Sequence, residues 1–321
     1  MSLLNLLASR GDWYDTIIIS RRHNQQKFIG IINSLPSKLK EQIIDKSIID
    51  IESLFSYREF TKDYLLKNNK IFNPAIGDSL LDKNISEELA LFKSFKRFTV
   101  VSEMEQEIIR NYYDARRQNI QIKVVGHAIK KASSKAIKYE DRIIDIGFLG
   151  GFNELSSPNI DSINWLTEEI IPHLKSYFEK NFELQVAGSA ECRDCRIFLE
   201  KNLGKRYIGK VEHLEKWFNK LKVFVVPTRF AAGAAHKLHM ASSFGVPIVT
   251  TSLIAQQMNL VKSDMVLHSN NAKELADLIH LLLTNKSKWL EYSEKSYQIS
   301  LSQCDTIYFK KSIQSIIFDQ F

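Results

Sequence analysis

The chain has 321 residues, 44% of them apolar and 25% charged, a balance that can bury a sizeable core and excludes disorder as the dominant state. Twelve glycines and six prolines are too few for a collagen-like, proline-rich or many-turned all-β chain. No apolar run reaches the roughly 18 residues of a membrane-spanning helix. The formal charge is +7, and residues 1–140 carry 23 basic against 17 acidic groups. Such a basic half suits a phosphate-bearing substrate or an anionic membrane face, and equally the ordinary solvated faces of helices. Nucleic acid is not an expected partner, because no RNP motif, zinc finger or helix-turn-helix is present. The N-terminal apolar patch lacks a basic flank and a small-residue cleavage site, and three cysteines suit a reducing compartment. The expected location is cytoplasmic, with room for peripheral membrane contact.

In chain order, short β-branched runs alternate with helix-period segments. Thr16–Ser20, Ser47–Ile49 and Phe98–Ser102 read as buried strands, and Gly126-His127 closes another. A polar, small-residue stretch follows. Residues 1–128 are therefore expected to form a first lobe and 129–142 a linker, with 143–321 as a second lobe. In the second lobe Asp145–Gly150, Phe182–Gly188, Lys222–Pro227 and Val246–Thr251 read as strands. One amphipathic helix is expected over Ile160–Lys180, and Lys273–Phe321 reads as two or three helices. Alternating strands and helices with continuously apolar strands predict parallel sheets covered by helices, an α/β fold.

In an open parallel sheet, ligands bind beyond the carboxyl ends of the strands, so the loops there hold the candidate chemistry. The first is Gly150-Gly151-Phe152-Asn153, ahead of a helix. Paired glycines there let backbone amides approach a phosphate, and they also make a plain turn. The second loop carries Gly188-Ser189, and the third, Tyr207 to Val211, carries Gly209. The fourth runs from Pro227 through Arg229, Ala231, Ala232 and Gly233 to His236 and Lys237. Arg229 and Lys237 are two cations suited to a diphosphate, with Arg229 equally able to brace the loop by an ion pair.

The order F-x-G-G-x-N, SPN-x-D-S-x-x-W-L, V-A-G-S, I-G-x-V, P-T-R-F-A-A-G-x-x-H-K and G-V-P-I-V-T-T over about 143–260 resembles the C-terminal lobe of bacterial family 4 glycosyltransferases. Those enzymes have two Rossmann-like lobes, the GT-B fold. Upstream, Tyr14 to His23, Ile49 to Leu54 with Arg58-Glu59, and Val100 to Glu103 resemble pieces of the first lobe, which is expected to be incomplete. The resemblance implies transfer of a sugar from a nucleotide-sugar, with retention and without a metal or other cofactor, to a glycan, lipid-linked or protein acceptor. Polysaccharide biosynthesis is the implied setting. The donor would sit on Gly150, Gly151, Asn153, Gly188, Ser189, Gly209, Val211, Ala232, Gly233, His236 and the position of Met240. Lys237 and Arg229 would stabilise the leaving diphosphate.

Met240 stands where the family typically has a Glu that binds the donor ribose. This departure, with the short first lobe, motivates an alternative: a catalytically silent GT-B module that binds or regulates a partner, the partner completing the first lobe. Asp50 and Glu52 are candidate carboxylates near the reacting centre or parts of a helix N-cap region. His236 and His239, three apart without a flanking carboxylate, are expected on a helix surface with no metal. Cys192-Arg-Asp-Cys195 opens a helix but offers too few ligands for zinc.

Overall fold

The computed structural model describes residues 3–10, 13–73, 83–129, 138–178, 182–304 and 306–318. Ten strands among them pair in parallel to form two sheets. The first contains β1 (Ile17–Ser20), β2 (Ser47–Ile51), β3 (Arg97–Val100) and β4 (Gln121–Val124), in chain order. The second contains β5 (Ile144–Leu149), β6 (Leu184–Ala187), β7 (Tyr207–Gly209), β8 (Leu221–Val226), β9 (Ile248–Thr250) and β10 (Leu267–His268), arranged β10-β9-β8-β5-β6-β7. Ile48 and Ile49 in β2, and Val223, Phe224 and Val226 in β8, are fully buried. Helices therefore cover both faces of each sheet, as the uninterrupted apolar strands require.

The second sheet reverses its strand order between β5 and β8, which opens a crevice beyond their carboxyl ends. The first sheet has no reversal of strand order among the described residues. Two short strands escape the sequence pattern. Tyr207–Gly209 reads as a loop and Leu267–His268 gives no signal, because both sit at sheet edges with half-exposed side chains.

The helix expected over Ile160–Lys180 is interrupted. It runs as Pro158–Trp165, a π-helical turn at Leu166–Ile170 and a second α-helical piece at Ile171–Tyr177. Pro172 has no N–H to give the preceding turn, and the wider turn absorbs that loss. Lys180 lies outside the described residues, as do most of the expected linker (130–137) and the last residues, 319–321. The linker's far end is anchored by buried Arg142, whose guanidinium donates to the carbonyls of Phe218, Leu221 and Phe244 at 2.7–3.1 Å.

Three helices close the chain: Ala272–Thr284, Lys286–Gln303 and Thr306–Ile317. The last does not stay with the second sheet, as a boundary at 143–321 assumes. Ile316 packs on Ile48 and Val125 of the first lobe, and Lys123 Nζ donates to Ser315 Oγ at 2.7 Å. No helix among the described residues is long and apolar enough to cross a membrane.

Candidate active site

The loops after β5, β6 and β7 are laced together by their own backbones. Gly150 N donates to Ala187 O at 3.0 Å, Phe152 N to Ser189 O at 2.9 Å and Gly188 N to Gly209 O at 2.8 Å. Tyr207 Oη donates to Gly188 O at 3.0 Å. Gly188 has φ +141°, and a Cβ there would lie 1.7 Å from the Gly150 carbonyl oxygen. Only glycine permits that approach. Gly150, Gly188 and Gly209 thus share one place in the fold for a different reason from the expected one: the amides of Gly150 and Gly188 bind the ends of the neighbouring strands β6 and β7 instead of standing bare for a phosphate. Gly151 and Asn153 are exposed beside them, while Val211 is half-buried against the core.

Lys237 joins this assembly through Asn159. Its Nζ donates to Asn159 Oδ1 at 2.5 Å, and Asn159 Nδ2 donates to Gly151 O at 2.9 Å. The ammonium lies 4.4 Å from the centroid of the Phe148 ring. No carboxylate pairs with it among the described residues, and its enclosure lowers its pKa to about 7. The helix His236–Ser243 starts alongside, and its N-cap, Ala235, has no side-chain group to accept the first-turn N–H bonds.

Arg229 is placed differently from the free cation that a diphosphate requires. Nε and an Nη donate to the two Asp161 carboxylate oxygens at 3.0 and 2.6 Å, and the guanidinium carbon sits 5.5 Å from the Trp165 ring centroid. The pair is about one-fifth exposed and braces the loop after β8 against the helix Pro158–Trp165. Replacing Arg229 by methionine should lower stability by about 1–2 kcal/mol, read as a thermal-midpoint decrease, with nucleotide affinity little changed.

Asp50 is likewise committed. Ser20 Oγ and Thr99 Oγ1 donate to its two oxygens at 2.6 and 2.7 Å, from strands whose register sets both residues beside it. Glu52 is exposed and lies 3.9 Å from Arg21, at the edge of the cleft between lobes. Its carbonyl oxygen would be 2.7 Å from a Cβ on Gly233, which has φ +76°. The carboxyl ends of the two sheets therefore face one another across this contact, with Ala232 half-buried next to it.

The residue that bridges the lobes, Glu105, is absent from the sequence-derived candidates. It is buried, and its Oε1 accepts from Leu54 N at 2.8 Å and from Gly233 N at 3.0 Å. Ser102 Oγ donates to Oε2 at 3.0 Å. Burial raises the carboxyl pKa to about 7 despite the opposing hydrogen bonds. The available signal was Ser102-x-x-Glu105, the pattern of a capping box. Here the carboxylate keeps a contact with its own N-cap residue, Ser102, through Oε2 and reaches across the interface to Gly233 through Oε1.

Of the two histidines expected on a helix surface, His236 is exposed there and His239 departs from expectation. His239 is buried, with Nε2 3.0 Å from Gln303 Oε1 and Nδ1 3.3 Å from His127 Nδ1. His236 is exposed and edge-on to His127, with ring centroids 4.6 Å apart. Burial, reinforced by the neighbouring imidazoles, pushes His127 and His239 down to about 4, so both are neutral at pH 7. Among the described residues no cluster could hold a metal ion. Met240 is half-buried against the apolar core, where its thioether offers a ribose only a weak acceptor in place of a carboxylate.

Two open parallel sheets meeting through their carboxyl ends, one of them reversed at its centre, define the GT-B class of glycosyltransferase folds. Residues 143–285 match the family model described as Glycosyl transferases group 1. No curated protein matches the sequence. Among solved structures, Anabaena Alr3699/HepE in complex with UDP and glucose superposes with a TM-score of 0.67 at 10% identity, over 99% of this chain and 81% of that one. TarM gives a TM-score of 0.58 at 14% identity over 84% of this chain, which spans 50% of the TarM chain. WaaG, a glycosyltransferase involved in lipopolysaccharide biosynthesis, gives 0.57 at 13% identity, over 93% and 85% of the two chains.

Proposed function

We propose that the protein transfers a sugar from a nucleotide-activated donor to a glycan or glycoconjugate acceptor, with the donor diphosphate held at the second-lobe loops. The observation that supports this reading best is the convergence of the Gly150, Gly188 and Gly209 loops with Lys237, joined through Asn159. Lys237 would meet the negative charge that develops on the leaving diphosphate, assisted by the uncapped start of the helix His236–Ser243. Arg229 supports this geometry from behind, through Asp161. Retention would follow from an acceptor hydroxyl held on the leaving-group face. The acceptor glycan would enter from the first lobe, whose basic balance suits an anionic membrane face or a lipid-diphosphate carrier, and Glu52 is the exposed candidate carboxylate at the edge of the cleft. The structure of a GtfA/B complex among the similar folds makes a protein partner for the incomplete lobe a further part of this proposal.

Isothermal titration with UDP, GDP, ADP and TDP tests the reading, and at least one nucleoside diphosphate should bind at micromolar concentration. Silence across the panel would favour the alternative, a catalytically inactive GT-B module. Two observations give that alternative weight: Met240 lies half-buried against the core, and Glu105 occupies the Gly233 amide. A Met240→Glu variant separates the cases. If the pocket is a donor site lacking one ribose contact, affinity should rise about tenfold, in line with a charged hydrogen bond worth ~1.5 kcal/mol.

A further inference from the structure

We propose that the cavity between the end of the helix Phe55–Asn68 and the helix Pro158–Trp165 is a binding site for an uncharged oligosaccharide. It has a volume of about 530 Å³, within the range of small-molecule sites. First-lobe residues around Tyr64 and Lys70 form one wall, and Trp165, Glu169, Asn270 and Asn271 of the second lobe form the other. Arg229 of the loop after β8 lines the cavity, and Lys237 does not.

Its chemistry matches a polyol and not a phosphate. Arg229 is neutralised by Asp161, and the remaining charges on the walls are Lys70 and Glu169, which cancel. A nucleoside diphosphate would find no net positive field there. Hydrogen-bonding groups are abundant instead. Asn271 Oδ1 accepts from Lys273 N and Glu274 N at 2.9 and 3.1 Å, and Asn270 Oδ1 accepts from Ser252 N at 2.9 Å. Each amide is thereby fixed in orientation, with its NH₂ unpartnered among the described residues. Glu169 adds an unpaired, exposed acceptor among those residues. Tyr64, its hydroxyl also without a partner there, is held edge-on to Phe72 with ring centroids 5.2 Å apart. A half-buried aromatic ring beside fixed amides and a carboxylate offers a platform for the C–H face of a sugar and partners for its hydroxyls.

In the glycosyl-transfer reading this site would hold the glycan that is extended, and this use rests on that reading. The binding itself does not. Saturation-transfer NMR on the full chain, with maltotetraose, cellotetraose and chitotetraose as probes, should show transfer to at least one. Tyr64→Ala and Glu169→Ala should each weaken that binding about tenfold, while the UDP-induced thermal shift stays as in the unaltered protein. The proposal is overturned if none of the three probes shows transfer at about 10 mM, a concentration that captures even millimolar affinities. It is also overturned if both variants bind the probe unchanged. A protein that binds a probe but no nucleotide would keep this site and remove the enzymatic reading.

Discussion

Lys237→Met is expected to abolish most sugar transfer, lowering kcat by roughly 10²–10³-fold, the effect of losing one preorganised charge partner in a transition state. The same variant should be more stable than the parent when no ligand is present. Lys237 has no carboxylate partner among the described residues, and enclosure holds its pKa near 7, well below its ordinary 10.5. The unfolded chain therefore binds more protons than the folded one between pH 7 and 10.5, so this group makes folded stability rise with pH across that window. Below pH 7 the folded protein carries the full penalty of an enclosed ammonium, and a methionine of similar length carries none. A group that costs stability and makes no ion pair is understandable at a binding site. Diphosphate binding should reverse the penalty by favouring the charged form. Titrations with UDP at pH 8 in buffers of different ionisation enthalpy should reveal uptake of a proton, and affinity should weaken as pH rises above 7. A variant less stable at pH 6 than the parent, or a parent that binds UDP equally at pH 6.5 and 9, would remove Lys237 from the site.

Much of the fold is legible in the sequence because its strands are buried on both faces. Runs such as Ile48-Ile49 and Val223–Val226 are apolar and mostly β-branched regardless of what surrounds them, and the order of such runs alone suggests two parallel sheets. The glycine loops are legible for the same local reason. What the pattern cannot carry is which distant group spends each polar atom. Arg229 reads as a free cation until Asp161 is brought to it across the fold, 68 residues away. Gly150 and Gly188 read as sources of bare amides, yet each N–H goes to the end of a neighbouring strand. His239 reads as a surface residue until His127 and Gln303 close over it. Periodicity reports the face a residue occupies, whereas these assignments depend on loop-to-loop packing. The last helix makes the same point at a larger scale. Its apolar residues Phe309, Ile313 and Ile316 announce a buried face, but only the folded chain shows that the face belongs to the first lobe.

Glu105→Ala should be the most damaging single change for stability among the polar residues of the interface. It leaves the amides of Leu54 and Gly233 without their acceptor, in a place closed to water. At ~1–3 kcal/mol for each unsatisfied buried group, the loss is about 2–6 kcal/mol, a large share of the roughly 5–15 kcal/mol that holds a domain folded. The thermal midpoint should fall by roughly 5–15 °C. Glu105→Gln is the informative companion. Both amides donate to the same oxygen, Oε1, so a glutamine can keep that oxygen in place and turn its NH₂ toward Ser102 Oγ. The difference between parent and glutamine variant should then depend on pH. The folded carboxyl has a pKa raised to about 7 against 4.5 for its ordinary value. The folded state thus binds more protons between those limits, and the stability this group contributes is present below pH 4.5 and lost as pH rises through 7. Melting curves from pH 5 to 8 should show the parent losing ground to the glutamine variant as pH increases. A constant gap between the two would mean that Glu105 is charged throughout and that burial does not dominate its carboxyl. UDP affinity supplies the remaining distinction. Because Gly233 sits in the loop leading to Lys237, the alanine variant should also bind nucleotide more weakly, whereas an effect on melting alone would confine Glu105 to holding the two lobes together.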